Sequence, residues 1–171
     1  MPTAEKLSQL RPVFKSDGST TAGNASQVTD GAAAVLMMRR STATKLGLKP
    51  LARWLGISQV GVPPRIMGIG PAVAIPAVLA QVGLKINDIS IWEINEAFAS
   101  QAVYCVKKLG IDVNKVNPKG GAIAFGHPMG ATGARQIATL IPELKRTGGK
   151  YGVISMCVGI GMGVAAVIEN E

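Results

Sequence analysis

Histidine occurs once, cysteine twice, and aromatic residues make up only 4% of the chain, and each scarcity removes a class of explanation. Cys105 and Cys157 cannot build a disulfide framework, and no spacing of Cys and His resembles a zinc site, so no metal is expected. With so few rings the core has to be filled by Ala, Val, Ile, Leu and Met, which together with 21 glycines favours tight packing of helices on a sheet. Residues 1–11 lack the basic segment and apolar run of a secretory signal. No apolar stretch free of glycine or charge reaches membrane-spanning length. The expectation is a soluble, intracellular protein with no membrane span. Lys and Arg exceed Asp and Glu by 18 to 10, but they are scattered, with no block longer than Arg39-Arg40 and no interleaved aromatics. Nucleic acid is not the expected partner. A positive field of this kind suits an anionic small ligand.

What is present is enough for one domain with a substantial core: 171 residues, 47% of them hydrophobic. Residues 1–24 are polar and rich in turn formers. Gly31 to Met38 reads as a buried strand, although its Ala run suits a helix equally, and Ser41 is placed to cap a short helix that Gly47 ends. From Leu51 a regular alternation begins. Strands are expected over 51–62, 89–94, 151–156 and 163–168; helices over 71–82 and 98–109, closed by Gly83 and Gly110, and over 132–145; and an extended, Gly-rich stretch over 116–125. Strands separated by helices predict a mostly parallel sheet covered on both faces, its last two strands an antiparallel pair. Pro142 falls inside the last helix and predicts a kink or break near Leu140. Gly31 to Leu36 echoes Gly163 to Ile168, as if the first closed an earlier copy of the same fold; chance similarity of two Ala/Val strands explains the echo as well.

His127 lies at a strand-to-helix junction, in Ala124-Phe125-Gly126-His127-Pro128-Met129-Gly130-Ala131-Thr132-Gly133. The glycines let a ligand approach the backbone, and the following helix presents free N–H groups. Cys157 enters a turn containing Gly159, Gly161 and, just beyond, Gly163, whose backbone donors could face a developing oxyanion. Cys105 shares a helical face with Phe98, Ala102 and Leu109 and reads as core. Asn95 is either a helix N-cap or the holder of a catalytic water. Gly68-Ile69-Gly70 and the Gly159 to Gly163 turn lack the third glycine of a dinucleotide fingerprint at its spacing.

Taken together, Asn95-Glu96-Ala97-Phe98, Gly120-Gly121-Ala122-Ile123-Ala124-Phe125-Gly126-His127-Pro128 and Cys157-Val158-Gly159-Ile160-Gly161-Met162-Gly163 resemble, in order and spacing, the three C-terminal signatures of thiolases. Thr21-Ala22-Gly23-Asn24-Ala25-Ser26 is similar to that family's coenzyme A segment. Val60-Gly61-Val62-Pro63-Pro64 and Ala102-Val103-Tyr104-Cys105 make the resemblance strongest to the peroxisomal 3-ketoacyl-CoA type.

The resemblance implies an α/β fold, one αβα half of a five-layered αβαβα sandwich. Residues 1–25 would end a loop domain, 26–50 would supply the closing strand and helix of an otherwise missing N-terminal domain, and 51–171 would form the C-terminal domain. It implies thiolytic cleavage of 3-ketoacyl-CoA in fatty-acid β-oxidation, with coenzyme A and acyl-CoA as substrates and no permanently bound cofactor. His127 would activate a nucleophilic thiol, Asn95 would hold an oxyanion-site water, Cys157 would be the acid/base, and Gly159 N–H would donate to a second oxyanion site. Ser26, Ala22 and Phe14 would line the pantetheine arm; Met67 and Phe98 would shape the acyl end. The acylated cysteine of the family has no counterpart at Cys105 or Cys157, so the partner implied is the N-terminal half of a thiolase, in a homodimer or homotetramer, in the peroxisome. The C-terminal Glu169-Asn170-Glu171 is not a Ser-Lys-Leu address. Two other readings compete: a catalytically silent acyl-CoA-binding module, and a Cys/His thioester hydrolase with Cys157 as nucleophile.

Overall fold

A computed structural model describes residues 2–171. Its elements in chain order are α1 (Ala4–Ser8), α2 (Arg40–Lys45), β1 (Ala52–Gly61), α3 (Gly70–Val82), β2 (Ile89–Ile94), α4 (Ala99–Leu109), α5 (Ala122–Phe125), α6 (Thr132–Thr147), β3 (Tyr151–Val158) and β4 (Met162–Asn170). The four strands form one sheet in the order β1-β4-β3-β2. The α/β class and the antiparallel β3/β4 pair are as the sequence predicts. The expected dominance of parallel pairing is corrected: β1 also runs antiparallel to β4, and only β2 with β3 is parallel. The reason is connectivity, since the chain reaches β4 through a short turn rather than a crossover helix.

Alternation along the strands divides the interior in two. Val153, Ala165 and Val167 face one side with Trp92 and Ile94, where α3 supplies Ala74, Ile75, Val78 and Leu79. Ile154, Ala166 and Ile168 face the other, against Ile137, Leu140 and Leu144 of α6. A 3₁₀ turn (Pro64–Ile69) leads directly into α3, so Pro64–Val82 is 19 residues long and apolar enough, by length and composition, to cross a membrane. In this fold its buried face is instead a layer of the core. Contact is closest where Gly70 meets Gly163: a Cβ on Gly70 would lie 2.7 Å from Gly163 Cα, and a Cβ on Gly163 would run into the Gly70 carbonyl.

Several local expectations change. Residues 31–39 form neither strand nor helix and are mostly exposed, Leu36 at 83%. They have the composition of a buried strand but no neighbouring strand offers them hydrogen bonds. Ser41 does not cap α2: the cap position is Arg39, with no side-chain bond, while Gly47 does take the left-handed conformation. The 116–125 stretch contains α5, a single helical turn. Pro142 does not break α6, which continues to Thr147. Pro142 and Ala138 both lie on the exposed face, so the carbonyl left without a donor faces solvent and the cost is one hydrogen bond.

Candidate active site

β2 ends at Ile94, and the next residue, Asn95, is held by its own N–H to Ser155 O (2.9 Å), which fixes it beside the end of β3. Its side chain does not cap α4; the N-cap is Phe98, without a side-chain bond. Instead Asn95 Nδ2 lies 3.3 Å from His127 Nε2, and Asn95 Oδ1 is buried with no protein partner. His127 is placed by its backbone, which bonds Gln27 O (3.1 Å), and by its ring.

The ring's tautomer follows from its partners. Thr132 Oγ1 donates to Pro128 O (3.0 Å), so at His127 Nδ1, 2.7 Å away, it accepts. The ring proton therefore sits on Nδ1, and Nε2 carries the lone pair toward Asn95. Burial, and after it the Arg135 guanidinium, hold the His127 pKa below the ordinary imidazole value. A neutral imidazole with Nε2 unprotonated, its lone pair held only by the Asn95 amide, is the form a general base needs.

Cys157, near the end of β3, is buried, and its sulfur lies against the amide of Gln101, 3.3 Å from Nε2 and 3.5 Å from Oε1. Gln101 Nε2 also donates to Asn95 O (3.4 Å), so Gln101 connects Cys157 to the Asn95–His127 pair. Gly159 in the turn that follows has φ +57°. Cys105 is fully buried, its thiol donates to Gly68 O (3.5 Å), and burial pushes its pKa up to about 11, which suits a core thiol.

The N-terminal segment docks on the same corner. Ser26 donates from both N (2.9 Å) and Oγ (3.1 Å) to Ala97 O, and Ala99 N donates to Asn24 O (2.8 Å). Phe14 meets Phe98 edge to face with centroids 6.3 Å apart. Ala22 is exposed on this segment, and Met67 is half-buried on the 3₁₀ turn next to Gly68, which packs on Gln101.

Four residues here take roles that their residue types do not announce in the sequence. Thr132 orients the histidine and Gln101 faces the thiol. Glu96 accepts from Asn117 Nδ2 (2.8 Å) and from Ile123 N (3.2 Å), while Asn117, at φ +47°, brackets Ile94 through its N–H and C=O. Their signal was position: a hydroxyl five residues after the only histidine, and an amide six residues after Asn95.

Beneath the site, Glu93 is buried with Oε2 3.0 Å from Arg135 Nη1 and Oε1 unpartnered. Burial outweighs the guanidinium and pushes its pKa from 4.5 to about 7. Between those values the unfolded carboxyl has lost its proton while the folded one keeps it, so stability falls as pH rises through this window. In urea unfolding, wild type should lose about 3 kcal/mol relative to Glu93→Gln between pH 4.5 and pH 8. A difference independent of pH contradicts this.

A family model described as the thiolase C-terminal domain matches residues 48–170, and one described as the thiolase N-terminal domain matches residues 1–41. The chain belongs to the thiolase family. It is 62% identical over 169 residues to the peroxisomal 3-ketoacyl-CoA thiolase of Yarrowia lipolytica, covering 99% of this chain and 41% of that protein. It is 66% identical over 168 residues to peroxisomal 3-ketoacyl-CoA thiolase B of Rattus norvegicus, covering 98% and 40%. Among solved structures it superposes on the dimeric peroxisomal thiolase of Saccharomyces cerevisiae with a TM-score of 0.95 and 61% identity, over 100% of this chain and 43% of that one. It superposes on human mitochondrial 3-ketoacyl-CoA thiolase in complex with CoA with a TM-score of 0.93 and 45% identity, over 99% and 43%. The chain thus spans about two fifths of the length of the thiolases it matches.

Proposed function

We propose that this chain supplies the C-terminal catalytic half of a peroxisomal thiolase that cleaves 3-ketoacyl-CoA with coenzyme A, and that the nucleophilic cysteine comes from an N-terminal half. The observation that carries it is the Asn95–His127–Thr132 chain, which presents a neutral imidazole with Nε2 as base in the same corner as Cys157.

In the first step His127 Nε2 takes the proton of the nucleophilic thiol, whose sulfur attacks the 3-keto carbon. The bond between the α-carbon and that carbon breaks, and the electron pair is left on the acetyl-CoA enolate. The Cys157 S–H protonates the enolate carbon, and acetyl-CoA leaves behind an acyl thioester. In the second step the Cys157 thiolate takes the proton of incoming coenzyme A, whose sulfur attacks the acyl thioester; the bond to the enzyme sulfur breaks, and the departing thiolate recovers the proton held on His127 Nε2. Asn95, through a water, and His127 would stabilise one thioester oxygen; Gly159 N–H would serve the other. Ser26, Ala22 and Phe14 would follow the pantetheine arm, with Met67 and Phe98 at the acyl end.

Residues 26–50 fit a remnant of the N-terminal domain. The Ala34 to Met38 segment, Trp54 and the α6 residues Ile137 and Ile141 line an apolar groove of about 610 Å³ that suits packing against the rest of that domain. A dimer or tetramer of the completed enzyme and a peroxisomal location follow from the same reading.

Peptide mass spectrometry after incubation with a 3-ketoacyl-CoA tests the assignment. With an N-terminal half added, the acyl group should appear on that half. Acylation of Cys157 would instead favour a hydrolase using Cys157 as nucleophile.

A further inference from the structure

An acid/base thiol has to be held in two forms, S–H and S⁻, and the two need opposite partners: an acceptor for the first and a donor for the second. The side chain against Cys157 offers both. Gln101 Nε2 is 3.3 Å and Oε1 3.5 Å from Sγ, so both ends of the amide lie within reach of the sulfur. The orientation of the amide is fixed by chemistry: the atom 3.4 Å from Asn95 O must be the N–H donor, because two carbonyl oxygens would repel. One Nε2 hydrogen goes to Asn95 O, and the other is left for the sulfur.

The local fold explains why Gln101 can do this. It occupies the first turn of α4, where side chains lean back toward the helix N-terminus and so toward Asn95. Gly68 leaves the space: a Cβ there would lie 2.8 Å from Gln101 Cβ and 3.0 Å from Oε1. Bonding to Asn95 O alone would account for one N–H, but not for an amide turned with both ends toward Sγ.

We propose that Gln101 is a positioning residue for Cys157, its Oε1 accepting from the thiol and its Nε2–H donating to the thiolate, so that one amide serves both protonation states. The contact stands on geometry; its use in an acid/base cycle rests on the thiolase reading above.

The test is the pH dependence of iodoacetamide alkylation of Cys157, read by peptide mass spectrometry on the 171-residue chain. Wild type is compared with Gln101→Glu, which keeps the acceptor and adds a repelling charge, and with Gln101→Met, which keeps the bulk and loses both groups. At pH 8 alkylation should slow about tenfold or more in Gln101→Glu and about threefold to tenfold in Gln101→Met, with the midpoint moved to higher pH in both. Gly68→Ala, which displaces the amide without altering it, should shift the midpoint the same way. Wild-type alkylation profiles in all three variants, or a faster Gln101→Glu, would overturn the proposal. The thiolase reading fails by a different result: full thiolysis by Cys157→Ala in the completed enzyme.

Discussion

His127→Ala should lower thiolysis of a 3-ketoacyl-CoA by at least about 10³-fold in the enzyme completed by an N-terminal half. The ring is asked for two contributions, proton removal from the nucleophile and donation to a thioester oxygen, and each alone is worth roughly 10²-fold or more. No other histidine of this chain can replace it, since it is the sole one. The neutral, Nδ1-protonated ring follows from the Thr132 contact and from burial, so Thr132→Val should cost less, about tenfold, by releasing the tautomer and ring orientation. Because the His127 pKa is depressed, activity governed by its neutral form should persist below the pH at which an ordinary imidazole protonates. Cys105→Ala should change activity little, as its thiol is spent on Gly68 O in the core. Loss of thiolysis is followed as the rate at which 3-ketoacyl-CoA enolate absorbance decays with free coenzyme A present.

Gly163→Ala should destabilise the fold by about 3 kcal/mol, at the upper end of the cost of overpacking, because the obstruction is backbone. The added methyl would meet the Gly70 carbonyl where α3 begins, and neither a rotamer change nor a flexible side chain can relieve that. For a chain of this size the loss corresponds to a fall in Tm of roughly 10 °C. Gly61→Ala supplies the contrast: it sits at the end of β1 with nothing within 4 Å of an added Cβ, and should be near neutral. Equal melting temperatures for the two variants would mean that α3 and β4 are not in the contact described.

The core elements were legible because their signals are local. Gly83 and Gly110 close α3 and α4 at φ +71° and +65°, where the sequence placed the helix ends. The β2 boundaries, Ile89 and Ile94, coincide with the apolar run. Pairing was less legible, because apolar content is the same whether a strand's neighbour runs parallel or antiparallel, and nothing in the sequence announces the antiparallel β1–β4 pair. The Gly31 to Met38 segment carries the composition of a buried strand, but pairing needs a neighbour, and composition cannot report whether one is there. Within the site, Asn95, His127 and Cys157 stood out as residue types suited to chemistry, and the fold does gather them. Gln101, Thr132 and Glu96 did not stand out, since an amide, a hydroxyl and a carboxylate on helix first turns and loops are ordinary surface residues until the tertiary fold aims them.

The central claim is that this chain holds the activating base and the acid/base thiol of a thiolase while the nucleophile lies on another segment. Its most direct test is 3-ketoacyl-CoA thiolysis measured for the 171-residue chain alone, for an N-terminal thiolase half alone, and for the two mixed. The account predicts turnover only in the mixture, abolished there by His127→Ala or Cys157→Ala and kept by Cys105→Ala. Robust turnover by the chain alone, or full activity of the mixture with His127→Ala, would contradict it.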